Sequence, residues 1–546
     1  MFLFHDRLNL IVGSDNSIGK STLAKLPLWT LGCEPTLDAN WTSLDCQCVL
    51  DFVIRGVGYR ATRHKNTITI VDSEGSVLYP KITGEYSEWF AQLVGFSAKL
   101  PDRNTAKPET PPPAYYFVPF YVDQRKSWAH AWENFAGLGQ YVNWKATIMK
   151  AHIGLLDETH FKLEEIKFAK STQRKVEDDT IQRYKTTNEV VTKFIPETYL
   201  AIQEKELDVI ADTIRIELFG LSKKQEILLD TLARHEDELA HVVHQLRITD
   251  AILEDANKDY EYATHVIESE DLECPLCGTL HSNSLVNRAS ILVDRDQALI
   301  QKKELEKVKQ RAENAIERSQ TELTQLRAMM ESMNRKYIAG VGEAKLTLSN
   351  VIEGLAGQSI RRQVEEAQGK SEVALRKLDT DIKAIALEQK NNSKAKDKSA
   401  IESDFMRTWL SYMERLGATS VNTSAIKSIL DYSKVMTSGG AAEGVRGILA
   451  YYLAVYKMIT IHSKEAIAPL VVDTPNQQEQ SLKNYAKILD LLDLATAEAV
   501  EDAQLFICAM DTEQVARHKA KGKVFTMTQS KVLNAEDYED VKALIG

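Results

Sequence analysis

Apolar residues change their spacing twice along this chain, and the changes divide it into three parts. Near the start they alternate with polar residues or run in short blocks. The segments 8–13, 46–54, 58–64, 67–71 and 115–122 read as strands. In the middle the spacing becomes three and four. Leu232, Leu239, Leu246 and Leu253 recur every seven residues. Leu305, Val308, Ala312 and Ala315 are followed by Leu323, Leu326, Met330 and Met333, then by Leu375, Leu378, Ile382 and Ile385. Such steps put apolar side chains on one helix face, the seam of a coiled coil. A large helical bundle would show the same stripes. Glu236 and Asp250 would fall in the seam, so the coil is expected to be irregular. Towards the end the pattern reads helix 444–461, strand 468–473, helix 482–492 and strand 504–510.

Proline placement sharpens this division. Six of the 13 prolines fall between Pro101 and Pro119, whereas residues 120–468 hold only Pro196 and Pro275. Proline breaks helices, so its scarcity permits very long ones. The middle of the helical region is Glu273-Cys-Pro-Leu-Cys-Gly278. Arms of similar length on either side predict an antiparallel hairpin, each arm at most roughly 180 Å long. Pro196 and Gly220 are expected to interrupt the outgoing arm, and Gly340, Gly342, Gly354 and Gly357 the returning one. Gly220 and Gly340 lie at comparable distances from the tip and predict an elbow. Neither outer segment makes a complete α/β domain. A hairpin inserted into one domain explains both.

Composition narrows the class. The chain has 546 residues, 44% of them hydrophobic, which suits two to four globular domains. The most apolar stretch, 448–461, is short and contains Lys457, so no membrane span is expected. Six cysteines make no disulfide framework in a chain this long, and a reducing, cytoplasmic setting fits them. The net charge of −11 argues against a nucleic-acid coat but leaves a local basic groove open. Lys302, Lys303, Lys307, Lys309 and Arg311 form a basic run, read more readily as a solvated helix face than as a DNA track.

Five short segments carry candidate chemistry. Gly13-Ser-Asp-Asn16-Ser-Ile-Gly19-Lys20-Ser21-Thr22 follows a short apolar strand and precedes a helix. A phosphate loop needs curled backbone amides, a helix N-terminus, a lysine for the terminal phosphates and a hydroxyl for magnesium. Ser14 holds the usual first glycine position, with Gly13 one residue early. Leu470-Val-Val-Asp473 has the form of a buried strand delivering a carboxylate to magnesium. Ser438-Gly439-Gly440 before a helix points serine and amides at phosphate, or is a flexible linker. Gln124, at the end of an aromatic-rich run, has the type to hold a metal-bound water. Cys274-Pro-Leu-Cys277-Gly278 presents two thiolates to one metal, where structural zinc prefers four ligands. His281 is one possible third ligand, and two copies meeting tip to tip complete the site more simply. Cys46 and Cys48 share a strand face and read as packing.

In this order the motifs resemble the SMC-like ATPases of SbcC type, the zinc-hook DNA-repair ATPases, over essentially the whole chain. The wording around Tyr116–Gln124, Trp128 and Asp473-Thr-Pro-Asn-Gln-Gln478 looks like ATPases of bacterial anti-phage and anti-plasmid systems, the LmuB type of Lamassu. The resemblance implies an α/β ABC-type P-loop ATPase head built from both ends of the chain, interrupted by a coiled-coil hairpin with a CxxC hook. The corresponding parts are an N-terminal lobe 1–150, outgoing arm 151–272, hook turn 273–281, returning arm 282–405 and C-terminal lobe 406–546. It also implies that Lys20, Ser21, Gln124 and Asp473 bind ATP and magnesium. Ser438, Gly439 and Gly440 would act across a homodimer joined through heads and hook, and Cys274 and Cys277 would hold zinc. DNA, an effector nuclease and an accessory subunit are the implied partners, because this chain shows no nuclease cluster of its own. The family's glutamate after the strand-end aspartate is Thr474 here. Glu479 is the nearest acid to replace it, or Gln477 merely orients water, so slow hydrolysis is expected. Asp511 stands near the family's switch histidine. The family's strand ahead of the loop's own strand finds few residues here, which leaves a truncated or shifted start open. A repair ATPase and a weakly hydrolysing DNA tether are the alternative readings.

Overall fold

The computed structural model describes residues 1–15, 18–37, 41, 45–128, 131–194, 212–265, 271–273, 280–282, 285–337, 348–395, 398–426, 428–435, 441–478, 480–499, 503–527 and 537–545. The chain divides into two compact units, one of Met1–Ala169 with Ile382–Gly546 and one of Lys170–Asp381.

The first unit opens with β1 (Leu8–Gly13) and α1 (Lys20–Thr30). An antiparallel sheet follows: β2 (Gln47–Ile54), β3 (Val57–His64), β4 (Thr67–Val71) and β5 (Ser76–Tyr79). Then come α2 (Glu85–Val94), the short pair β6 (Leu100–Pro101) and β7 (Pro108–Glu109), α3 (Pro113–Phe117), β8 (Tyr121–Val122) and α4 (Trp144–His152). The chain crosses to the second unit and back through four long helices. These are α5 (Glu158–Phe194), α6 (Asp212–His265), α7 (Leu285–Tyr337) and α8 (Leu348–Ala395), with β9 (Asp271–Glu273) and β10 (Leu280–Ser282) between α6 and α7. The first unit resumes with α9 (Lys398–Leu416), α10 (Tyr432–Val435), α11 (Ala441–His462), β11 (Leu470–Asp473) and α12 (Leu482–Ala497). It ends with β12 (Leu505–Met510), α13 (Glu513–Ala516), β13 (Lys523–Met527) and α14 (Tyr538–Ile545).

The central sheet of the first unit has the order β13-β1-β12-β11-β8, and every pairing in it is parallel. β11 and β12 are near-continuous apolar runs because helices cover such sheets on both faces. β1 is buried at all six positions. The hydrophobic core draws on residues before Phe161 and after Ile401 alike. α11 is buried from Ile448 to Tyr456 on every side, as a helix apolar all round must be. The Tyr452 hydroxyl accepts from the Trp132 amide at 2.9 Å and the Tyr451 hydroxyl donates to the Ile429 carbonyl, whereas the Tyr456 hydroxyl is buried without a hydrogen bond. Arg63, 1% exposed, ties the small antiparallel sheet to the end of α1. It donates to the carbonyls of Trp29 and Cys33, and pairs with Glu34.

The run 115–122 is not one strand. Pro113 fixes φ at the first turn of α3, a 3-10 turn covers Val118–Phe120, and only Tyr121–Val122 join the sheet. Pro119 has no N–H to give to a ladder, and a run buried on all sides carries no periodicity to separate helix from strand. β5 and β13 go beyond the sequence reading.

In the second unit α6 and α7 pack together extensively. β9 pairs antiparallel with β10, Glu273 opposite Leu280, so the chain reverses there. Cys274 and Cys277 lie outside the described residues. Gly220 does not interrupt the outgoing arm: α6 runs through it unbroken, as α8 runs through Gly354 and Gly357. An isolated glycine costs a helix only about 1 kcal/mol, which packing offsets. Pro196, Gly340 and Gly342 lie outside the described residues. Val190, Leu229, Leu232, Leu323, Ile360 and Val364 form one small core to which α5, α6, α7 and α8 all contribute. The seam acids find cations, Glu236 with Lys193 at 3.7 Å and Asp250 with Lys302 at 2.7 Å. In the basic run, Lys307 and Lys309 also pair with acids of their own helix, Glu304 and Glu313. Among the described residues no helix is long and apolar enough to cross a membrane.

Gly522 leads into β13, where a Cβ would lie 2.1 Å from the Leu8 carbonyl oxygen and 2.7 Å from Leu8 Cβ. Backbone cannot yield as a flexible side chain can. Gly522→Ala should destabilise the protein by about 1–3 kcal/mol, the usual cost of overpacking. Urea unfolding reads this directly, and an unchanged midpoint would mean β13 does not depend on that approach.

Candidate functional site

The site begins where β1 ends. Gly19 takes the left-handed conformation, φ 88°, and turns the loop into α1 at Lys20. At Gly13 a Cβ would meet Ile18 Cδ1 at 2.1 Å and the Met527 carbonyl at 3.0 Å, which accounts for glycine there. The Lys20 ammonium donates to the Asp15 carbonyl and lies 3.6 Å from Met510 Sδ at the end of β12. Burial holds its pKa below the usual lysine value, with Cys508, Asp473 and Asp15 opposing. Thr22 follows Ser21 on α1 and is half-buried.

Asp473 ends β11, two strands from β1, and is 0% exposed. Ser21 Oγ donates to its Oδ1 at 2.9 Å, joining residues 452 apart in sequence. Thr474 Oγ1 approaches the same oxygen at 3.2 Å. Asp473 Oδ2 is buried without a hydrogen bond. Burial pushes the Asp473 carboxyl above the usual carboxylate range. Lys25 and the Ser21 hydroxyl pull it back, and Asp123 adds to the rise. Lys25 stands between the acids, 3.6 Å from Asp123 Oδ1 and 3.7 Å from Asp473 Oδ2. The sequence reading named neither Lys25, which belongs to no motif, nor Asp123, which lies in the run ending at Gln124 but was given no role there. The one signal was the position of Lys25, four residues beyond Ser21 and so on the same helix face.

The loop after β11 is the second part of the site. Thr474 has φ 56°, a left-handed conformation that a β-branched residue adopts only under strain of about 1–3 kcal/mol. Its amide donates to the Cys508 carbonyl at 3.0 Å, which fixes it beside β12. The Gln477 side-chain amide donates to the carbonyls of Thr474, at 2.9 Å, and Gln124, at 3.4 Å. Gln124 thus meets this loop through its backbone, and the residue is exposed. Gln480 Nε2 donates to the Gln477 and Ala442 carbonyls, and its Oε1 accepts from buried Arg446 at 2.5 Å. Gln480 and Arg446 link the loop to the first turns of α11, a connection the sequence reading did not include. Asp511 is held by Lys519 at 2.8 Å, and its amide donates to the Gly13 carbonyl.

The described residues therefore bring Gly13, Gly19, Lys20, Ser21 and Thr22 to one sheet edge with Asp473, and Gln124 beside it through Gln477. Asn16, Ser438, Gly439, Gly440 and Glu479 lie outside the described residues. Chemically, the edge offers an ammonium and a helix N-terminus to phosphate, and a hydroxyl with a carboxylate to a hard cation. All-oxygen donors, with one carboxylate oxygen buried and lacking a hydrogen bond, suit magnesium, which takes one or two carboxylates plus phosphate oxygens. Among the described residues no group of three or more His, Cys, Asp or Glu is placed to hold a metal alone.

Two proteins named Lamassu protein LmuB are similar to this chain. One from Bacillus cereus is 23% identical across 99% of this chain and 94% of its own length. Another, from a second Bacillus strain, is 22% identical across 90% of this chain and 87% of its own. The chain resembles these two proteins over most of its length. No family model matches it. A crystal structure of an Smc head domain with a coiled coil and joint, derived from Pyrococcus yayanosii, aligns with 99% of the LmuB-like chain and 95% of that one. The identity is 12% and the TM-score 0.36, so the fold of the LmuB-like chain is read from its own sheet and helices.

Proposed function

We propose that this LmuB-like chain is the ATP-binding SMC-type subunit of a bacterial defence system against phage or plasmids. Two copies pair on ATP, engage DNA, and through that state control an effector nuclease carried by a partner subunit. The carrying observation is the 2.9 Å hydrogen bond from Ser21 to Asp473, which sets a loop hydroxyl and a strand-end carboxylate at one point beside Lys20. Lys20 neutralises the terminal phosphates, and the loop amides with the start of α1 orient them. Ser21 and Asp473 are the residues that would hold magnesium, which when bound supplies charge neutralisation for the transferred phosphoryl group. Gln124 orients water at the same edge. Ser438, Gly439 and Gly440 cap the nucleotide of the other copy.

Hydrolysis is slow in this reading. Thr474 follows Asp473 where a glutamate base is expected, and a hydroxyl takes no proton from water near neutral pH. Glu479 supplies a weaker substitute, or Gln477 only positions the water. This same observation favours one second reading, an architectural tether that binds ATP and barely turns it over. At the other end of the hairpin, Cys274 and Cys277 of two copies share one zinc ion. The antiparallel pairing of β9 with β10 supports this, because these two strands flank Cys274 and Cys277 in the sequence.

Three measurements test these assignments. Lys20→Ala should weaken ATP binding by about 10- to 100-fold, the worth of a charge-assisted contact, and abolish ATP-dependent pairing of copies. Undiminished binding would remove the phosphate-loop assignment. Thr474→Glu should raise steady-state ATP turnover by about 100-fold or more, the usual yield of a general base. An unchanged rate would mean that no base is missing at this position. Elemental analysis of the purified chain should find about half a zinc per copy, as four thiolates shared by two chains require. One zinc per copy would favour a local site with His281, and none would refute both.

A further inference from the structure

Lys25 is placed unlike a surface lysine. It sits one turn beyond Ser21 on α1, and its side chain is 9% exposed. The ammonium donates to the Thr36 carbonyl at 3.0 Å and faces Asp123 Oδ1 and Asp473 Oδ2 at 3.6 and 3.7 Å. The sheet explains why two acids are there. β8 and β11 are parallel neighbours with Val122 opposite Val472, so Asp123, directly after β8, and Asp473, the last residue of β11, lie at the same edge. Asp123 is 2% exposed and Asp473 0%. Two carboxylates so close repel one another unless a cation stands between them.

Other groups hold Asp123 in place but supply no charge. It accepts from the Tyr121 hydroxyl at 2.9 Å and from the amides of Arg125 and Lys126 at 2.9 and 3.1 Å. Asp473 divides its two oxygens. Oδ1 faces the hydroxyls of Ser21 and Thr474, while Oδ2 lacks a hydrogen bond and faces Lys25.

We infer that Lys25 is a resident countercation of this site, a positioning residue that keeps the Asp473 carboxylate aligned on Ser21 and sets how much divalent cation the nucleotide site requires. The inference rests on the proposed nucleotide site. With Lys25 in place the cluster of Asp123, Asp473 and Lys25 carries a formal charge of −1 − 1 + 1 = −1. Its ammonium opposes a further cation at the carboxylate, so the magnesium requirement should follow the charge of the cluster. A lysine that only fills space would leave that requirement unchanged.

The test is equilibrium binding of ATP to the full-length chain over a range of magnesium chloride concentrations. Lys25→Met takes the cluster to −2 and should lower the half-saturating magnesium concentration by about threefold or more. That is the order of a unit charge acting on a divalent ion several ångströms away at a wet edge. Asp123→Asn takes it to 0 and should raise the requirement. The double variant returns to −1 and should return to the wild-type value, and Lys25→Arg should keep it. If Lys25→Met alone does not fold, Asp123→Asn and the double variant give the same ordering. A magnesium requirement that does not follow this order overturns the role of Lys25. Wild-type binding that ignores magnesium altogether overturns the nucleotide-site reading, and the role of Lys25 with it.

Discussion

β1 is a six-residue strand buried along its whole length, and its backbone needs ladder partners on both sides. Both come from the far end of the chain: β12 on one side, Leu8 opposite Leu505, and β13 on the other, Asn9 opposite Lys523. The N-terminal segment therefore cannot complete its own sheet, and the loop after β1 acquires chemical neighbours only when the C-terminal segment docks. Other ties close the same gap. The Ala466 amide donates to the Val94 carbonyl at 2.8 Å, and buried His152 meets Glu465 at 2.7 Å. Loop-closure entropy grows only with the logarithm of length, so a long excursion between the segments costs little more than a short one. Within the helical unit, the outgoing and returning helices are paired at their near ends, Lys170 with Asp381 at 2.7 Å and Arg174 with Asp379 at 2.6 Å.

A parallel sheet releases all its strands at one edge, and this one releases its charges there too. Asp123 directly follows β8 and Asp473 ends β11, while α1 brings Lys20 and Lys25 to the same place. Buried carboxylates are tolerated because cations from a single helix face them, which ties the electrostatics of the site to the docking of α1. Arg63 contributes to that docking from the small antiparallel sheet, through the carbonyls at the end of α1. The strained backbone at Thr474 lies at the same edge, directly after Asp473. Strain of this kind persists only where the surroundings over-determine the conformation, here through the Cys508 carbonyl and the Asp473 carboxylate.

The loop after β11 also has neighbours away from the sheet. Gln477 reaches the turn at Gln124, and Gln480 with Arg446 reaches the start of α11. Three segments far apart in sequence thus share one set of hydrogen bonds, exposed at Gln124 and buried at Arg446. Moving Gln480 would leave Arg446 short of a partner in a low-dielectric setting. The loop is a physical link between the strand-end acid and the helix that follows residues 438–440.

The sequence determined what local chemistry and local periodicity can determine. Heptads and scarce prolines marked the long helices, because side chains three and four apart meet on one helix wherever the rest of the chain goes. The segments 13–22, 470–473 and 273–278 stood out because each carries its own chemistry at fixed spacing, and of these the structure brings Ser21 against Asp473. Only the tertiary structure decided which strands lie beside β1, since β13 pairs across more than 500 residues and leaves no pattern in either segment. It also decided that 115–122 is mostly helix and turn, and that α6 passes through Gly220, because packing overrides weak backbone preferences. Lys25 and Asp123 read as ordinary charges in a linear chain. They became part of the site when folding buried them beside Asp473, for the burial of a charge and the identity of its partner are set by contacts distant in sequence.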